Sequence, residues 1–207
     1  MKKIKIKICG QNNPAIIEHC LNIGINQQGL IFYDESPRNL DDDTLKIIHK
    51  YFQKFQDIFV GVFVNPTIEK IEEKLNIYDF HTIQLHGSED QELINKIKSQ
   101  FQKRIYKSIS PEEFKVTNLK NIDRFLIEAK PDLKELPGGN NKIWNWSNFE
   151  NPLGHPFILS GGLNQNNIVE AIDLTGAEFV DINSGVEKIK GEKSLSLIDS
   201  LISSLNN

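Results

Sequence analysis

Short apolar runs recur at intervals of 20 to 30 residues along the chain, at 4–8, 29–33, 58–64, 82–85, 104–107, 124–128, 157–159 and 178–181. The first, Ile4-Lys5-Ile6-Lys7-Ile8, alternates apolar and basic positions with the period of a strand. Between the runs lie stretches with helical spacing. Residues 15–21 hold Cys20 in a helical pattern, Asp43 precedes Thr44-Leu45-Lys46-Ile47-Ile48, and Pro66 opens Thr67-Ile68-Glu69-Lys70-Ile71. Ser88, with Gln91 three residues on, has the form of a capping box. Pro111 opens a short acidic turn, Asn164 precedes Ile168-Val169, and the neighbourhood of Ser194 starts a final amphipathic helix.

Eight strands and roughly eight helices over 207 residues average about 26 residues per unit. The expected fold is α/β, a single-domain (β/α)8 TIM barrel over 1–207. The same alternation also describes a doubly wound open sheet. Closure is favoured by where the polar residues fall. Each run stops at a polar or glycine-bearing group: Cys9-Gly10, Gln84-Leu85-His86-Gly87, Glu128, Ser160-Gly161-Gly162 and Asp181-Ile182-Asn183-Ser184-Gly185. Only a ring brings the ends of the first, seventh and eighth strands to one pocket. The least regular stretch, 131–156, contains Pro137-Gly138-Gly139-Asn140-Asn141 and is long enough for an active-site loop.

Composition narrows the function. With 24 basic and 28 acidic residues the formal charge is −4, so nothing recruits nucleic acid, while a small anion can still bind locally. Lys2, Lys3, Lys5 and Lys7 alternate with isoleucine rather than leading into an apolar run, so they do not read as a leader, and no stretch is long enough to span a membrane. The expectation is a cytoplasmic protein, a monomer or homodimer. The two cysteines do not make a disulfide scaffold, and Cys20 reads as a buried small hydrophobe. The five histidines lack metal-ligand spacing, so no metal is expected. The small residues of Ser160-Gly161-Gly162 and Asn183-Ser184-Gly185 let backbone N–H groups approach a phosphate, with following helix N-termini adding a favourable dipole.

The ordered set of strand ends resembles the phosphoribosylanthranilate isomerase family. The matching pieces are Lys7-Ile8-Cys9-Gly10, Gly29-Leu30-Ile31-Phe32-Tyr33 followed by Ser36-Pro37-Arg38, Val60-Gly61-Val62-Phe63-Val64-Asn65, Gln84-Leu85-His86-Gly87, Gly138-Gly139, Trp146, Leu159-Ser160-Gly161-Gly162-Leu163 and Asp181-Ile182-Asn183-Ser184-Gly185-Val186-Glu187. The resemblance implies a cofactor-free (β/α)8 barrel acting on a phosphorylated small-molecule substrate by an Amadori rearrangement. It makes Cys9 the general base and places Glu128 where the family has an acidic aspartate. Arg38 is then expected at the anthranilate part of the ligand, Lys7 below the thiol, and Gln84 and His86 in the pocket wall. Gly161, Gly162, Asn183, Ser184 and Gly185 form the phosphate site. Asp181 reads as a polar-network carboxylate and Asp132 as a fallback acid. Trp144 and Trp146 either wall the substrate or pack the loop.

Three departures cluster around the sixth strand end. The acid is Glu128, the family's Gly-Gly-Thr-Gly-Lys reads Gly138-Gly139-Asn140-Asn141-Lys142, and its Phe-Asp-Trp reads Trp144-Asn145-Trp146. They leave room for a barrel that binds a phosphorylated ligand without turnover. Another phosphate-sugar isomerase, an epimerase or a Schiff-base aldolase is a further reading; Lys107 is the candidate amine for the last.

Overall fold

The computed structural model describes residues 4–130, 138–139 and 142–206. Eight parallel strands close a barrel in sequence order: β1 (Lys5–Ile8), β2 (Gln27–Phe32), β3 (Phe59–Phe63), β4 (Thr82–Leu85), β5 (Arg104–Ile109), β6 (Arg124–Ile127), β7 (Phe157–Leu159) and β8 (Phe179–Ile182). Strand β1 pairs with β2 on one side and with β8 on the other, in register from Lys5↔Phe179 to Ile8↔Ile182. The ring is closed, and the open-sheet alternative does not hold.

Seven α-helices are seen among the described residues, rather than roughly eight. They are α1 (Pro14–Asn22), α2 (Asp42–Phe52), α3 (Ile68–Ile77), α4 (Gln91–Phe101), the single-turn α5 (Pro111–Phe114), α6 (Ile168–Thr175) and α7 (Leu195–Asn206). Between β6 and β7 the described residues make only a 3-10 turn at Trp146–Asn148, capped by the Asn145 side chain. After β8 comes another 3-10 turn, Ser184–Val186, and a small antiparallel hairpin of β9 (Glu187–Ile189) and β10 (Glu192–Lys193).

Some helix starts shift from the sequence reading. Asp41, not Asp43, caps α2, because its carboxylate accepts from Thr44 N at 2.7 Å. Asp90 caps α4 in place of Ser88, whose N–H and hydroxyl donate to Asn65 Oδ1. Strand β2 begins at Gln27, two residues before the apolar run. Its two glutamines are buried because Gln27 donates to Tyr106 Oη and Gln28 to the Ile17 carbonyl.

Two apolar layers hold the ring. Inside it, Ile31, Val60, Val62, Tyr106, Leu126, Ile158 and Phe179 pack with Cys9. Outside it, helix faces cover the strands: Leu45 and Ile48 of α2, and Ile198 and Leu201 of α7, are fully buried. Truncating any one of these to alanine costs about 2–5 kcal/mol. This outer layer is why helices with polar outer faces are stable on the ring. It also leaves the strand ends free to carry chemistry.

Candidate active site

The C-terminal ends of the strands surround one cavity, lined among others by Cys9, Arg38, His86, Glu128, Gly162 and Ser184. Inward-pointing positions of β1, β2 and β8 make one wall. Cys9 follows β1, and its N–H donates to Ile182 O at 2.9 Å, so its thiol is fixed at the floor of the mouth. Gly29 of β2 makes that position possible, since a Cβ there would lie 2.6 Å from the Cys9 sulfur. The thiol is free and nearly buried. Below it, Lys7 is fully buried and donates to Asp181 Oδ1 at 2.9 Å. Burial pushes the Cys9 thiol above its ordinary value and Asp181 adds to this, while Lys7 and Lys193 pull it back in part. Burial alone would lower Lys7, but Asp181 and Cys9 outweigh it and hold Lys7 up as a firm cation. Asp181 is thus a polar-network carboxylate that also reaches the cavity wall.

The opposite wall comes from β4, β5 and β6. Glu128 follows β6 and is largely buried. Its Oε1 accepts the Ser108 hydroxyl at 2.8 Å and is in direct contact with His86 Nε2. His86 is held in turn by Gln84, whose Nε2 is 3.0 Å from His86 Nδ1, and by its own N–H to Phe63 O. Burial pushes both members of the His86–Glu128 pair toward neutrality, but their mutual attraction outweighs it. His86 is raised and Glu128 is lowered. Gln84 is buried beneath this pair and does not reach the cavity surface.

A third side is built of small residues. Gly161 and Gly162 follow β7 with φ of +92° and +67°, a backbone only glycine adopts freely, and both line the cavity. Asn183 and Ser184 face them from the end of β8. Gly185 does not line the cavity. A Cβ there would collide with the Leu163 carbonyl, so it lets the two loops pack side by side. Helix α6 starts only at Ile168, so the dipole expected behind the glycines is displaced by a turn of asparagines, and after Asn183 there is only the 3-10 turn.

Arg38, from the loop after β2, completes the mouth. Its Nε and Nη2 donate to the two oxygens of Glu187, both at 2.8 Å. Lys193 adds 2.8 Å contacts to Glu187 Oε1 and Asn183 O, and one of 2.7 Å to Asn183 Oδ1. The cavity roof is Gly138 against His86 and Gly139 against Arg38. Glu187 closes the motif that carries the resemblance but takes no role from it, and Lys193 lies beyond it, because Glu187-Lys188-Ile189-Lys190-Gly191-Glu192-Lys193 has the look of a solvated charged run. Ser108 was signalled only by sharing strand parity with the inward Tyr106.

Other candidates fall elsewhere. Lys107 is buried and engaged with Glu89 Oε2, Gly87 O and Ser108 O, which makes it an ion-pair residue rather than a free amine. Trp146 packs in the core, and Trp144 donates from Nε1 to Ser160 O at 3.1 Å, holding the loop onto β7. Asp132, Asn140 and Asn141 lie outside the described residues. Among the described residues no group of His, Cys, Asp and Glu is placed to hold a metal ion, and no helix is long and apolar enough to cross a membrane.

A sequence profile described as N-(5'phosphoribosyl)anthranilate (PRA) isomerase matches residues 6–204. The chain belongs to this family. The N-(5'-phosphoribosyl)anthranilate isomerase of Sinorhizobium fredii is 36% identical over 204 residues, covering 95% of this chain and 91% of that protein. Among solved structures, the phosphoribosyl anthranilate isomerase of Thermotoga maritima superposes with a TM-score of 0.77 at 28% identity, over 98% of each chain. A phosphoribosyl anthranilate isomerase in complex with reduced 1-(o-carboxyphenylamino)-1-deoxyribulose 5-phosphate matches with a TM-score of 0.74 at 27% identity, again over 98% of each chain.

Proposed function

We propose that this chain converts N-(5-phosphoribosyl)anthranilate to 1-(2-carboxyphenylamino)-1-deoxyribulose 5-phosphate, the isomerisation step of tryptophan biosynthesis, with Glu128 as acid and Cys9 as base. The observation that carries this reading is one cavity holding a thiol on one wall, a carboxylate on the other, and the Gly161-Gly162 turn facing Asn183 and Ser184 between them.

The chemistry needs two proton transfers by the protein, then a tautomerisation, and no net redox change. A proton delivered to the ribose ring oxygen lets the C1–O bond break, leaving a Schiff base between C1 and the anthranilate nitrogen. Removal of the proton from C2 then gives an enolamine, which takes a proton at C1 as the C2 hydroxyl becomes the ketone. Both of Glu128's contacts among the described residues fall on Oε1, so Oε2 is the oxygen offered to the ring. The proton is the one shared across the His86–Glu128 contact: once on Oε1 it is carried to the ring oxygen by rotation of the carboxyl group, which exchanges Oε1 and Oε2. Cys9 takes the C2 proton as the thiolate, and the Lys7 ammonium beneath it stabilises that charge.

The phosphate lies against Gly161, Gly162 and Ser184, where backbone N–H groups can approach it. Arg38 meets the anthranilate carboxylate, a task suited to a planar guanidinium. These two anionic ends hold the sugar between acid and base, so that orientation lowers the barrier along with proton transfer.

The test is the loss of the substrate's anthranilate fluorescence on adding purified protein. Catalysed decay with formation of the ketone product is expected. A protein that binds the reduced product analogue without causing decay would contradict an isomerase function.

A further inference from the structure

The hairpin β9–β10 takes no part in the two proton transfers, yet it places two charged side chains in the interior beside the cavity. Glu187 and Lys193 have side-chain exposures of 3% and 1%, and Arg38 beside them 4%. Their geometry is chelate-like. Glu187 receives Nε and Nη2 of Arg38 on separate oxygens, and Lys193 bridges from Glu187 to the carbonyl and side chain of Asn183. The hairpin tip is pinned to two other strand-end loops. Asn12 Nδ2 donates to Gly191 O at 3.2 Å, and a Cβ on Gly191 would lie 2.9 Å from Pro37 O, one residue before Arg38.

Two features suggest a role beyond packing. Two cations and one anion leave a buried excess of one positive charge at the cavity edge, a state made favourable by an anionic ligand. In addition, Glu187 takes Nε and Nη2, whereas Nη1 points to the cavity roof, 2.5 Å from where a Cβ of Gly139 would be. The free edge of the guanidinium is thereby aimed rather than left to rotate.

We propose that Glu187 is a positioning residue for Arg38, fixing the guanidinium plane so that Nη1 presents to the substrate's carboxylate. Lys193 ties that fixed arginine to the phosphate loop at Asn183, so the two anionic ends of the ligand are read by one rigid unit. This rests on the assignment of Arg38 to the anthranilate carboxylate made above.

The alternative, that Glu187 only neutralises nearby cations, predicts the opposite sign. Deleting a negative charge beside Arg38 and Lys193 would then tighten anion binding. The experiment measures affinity for two probes, the reduced product analogue and the same compound lacking the ring carboxylate, in wild type, Glu187→Gln, Arg38→Met and the double variant. Positioning predicts that Glu187→Gln weakens the carboxylate-bearing probe at least tenfold and the decarboxylated one less than threefold. KM should rise while kcat stays within threefold. The double variant removes the Arg38–Glu187 pair and leaves Lys193 held by Asn183 alone; because Glu187 acts through Arg38, its affinity for the carboxylate-bearing probe should match that of Arg38→Met. Unchanged or tighter binding of the carboxylate probe in Glu187→Gln overturns the inference. If that variant does not fold, a double variant binding more than threefold weaker than Arg38→Met overturns it. Wild type that turns over substrate while Glu187→Gln behaves normally sinks this inference alone. Wild type that binds neither probe sinks the functional assignment with it.

Discussion

His86 Nε2 contacts Glu128 Oε1 directly, and the two side chains are only 10% and 13% exposed. At this strand end the family resemblance calls for aspartate. A glutamate reaches farther by roughly one methylene, and here that extra reach ends on the imidazole and on Ser108. In the mechanism proposed above, the acid is therefore a couple. His86 is raised and Glu128 lowered because each stabilises the other's charged form against the burial that opposes both.

Shortening the carboxylate should break the couple. In Glu128→Asp the oxygen withdraws from His86 by on the order of 1 Å, a displacement that can cost about 100-fold in rate. The His86 titration midpoint should also fall from its raised position, since the burial penalty remains while the partner recedes. An NMR titration of the ring reads this directly. A His86 midpoint unchanged in Glu128→Asp would mean that the imidazole is raised by something else.

Cys9 gives a second titration. Thiolate reacts with iodoacetamide and thiol does not, so the pH midpoint of alkylation reports the group. The midpoint should lie above that of an unperturbed cysteine, because burial outweighs the nearby lysines. Replacing the pair beneath it as Lys7→Met/Asp181→Asn avoids leaving one buried charge alone. That double variant should move the midpoint higher still, since Lys7 lowers the thiol more than Asp181 raises it. A downward shift would refute the role given to Lys7. Cys9→Ser should meanwhile lose turnover by at least 100-fold while retaining ligand affinity, as expected for a missing base.

The glycines after β7 and β8 separate by function. Gly162→Leu puts a side chain into the cavity from a left-handed backbone and should weaken the product analogue at least tenfold with the fold retained. Gly185→Ala should instead lower the melting temperature, since its Cβ meets the Leu163 carbonyl. Equal affinity in Gly162→Leu and wild type would place the phosphate elsewhere.

Glu187 sets an acid limit on stability. Despite burial, Arg38 and Lys193 hold its carboxyl down at about 2. A depressed carboxyl contributes stability that is complete above the unfolded value near 4.5 and is lost as pH falls toward about 2. The contribution is roughly 3 kcal/mol from the size of the shift. Urea melts at pH 6 and pH 3 should show part of this loss in wild type, since pH 3 lies between the two values, and a smaller loss in Glu187→Gln; identical losses would contradict it.

The barrel was legible because each strand is a short apolar run and each strand end has its own chemistry. Residues 82–85 and 157–159 match their strands to the residue. What was not legible depends on partners distant in sequence. Gln27 and Gln28 fall outside the apolar run, yet their side-chain amides are buried and donate to Tyr106 within the ring and to the Ile17 carbonyl on α1 outside it. The sequence pointed to Asp43 as the start of α2, but it is the last of three consecutive aspartates, and only the backbone path selects Asp41. The hairpin of β9 and β10 has strands too short to carry a period, and its buried charges look like surface charges until Arg38, 149 residues away, is brought beside them. The His86–Glu128 contact is of the same kind: both residues stood out singly, and their pairing comes from the closure of the ring.

The most direct measurement of the central claim is the initial rate of phosphoribosylanthranilate fluorescence decay for wild type and Glu128→Gln at equal, ligand-competent concentrations. The amide keeps the shape of the side chain and its place beside His86 but cannot pass a proton to the ring oxygen. The account predicts rapid decay with wild type and a loss of about 10²- to 10⁴-fold in the variant, with affinity for the reduced product analogue within threefold. Turnover by Glu128→Gln at the wild-type rate would contradict it.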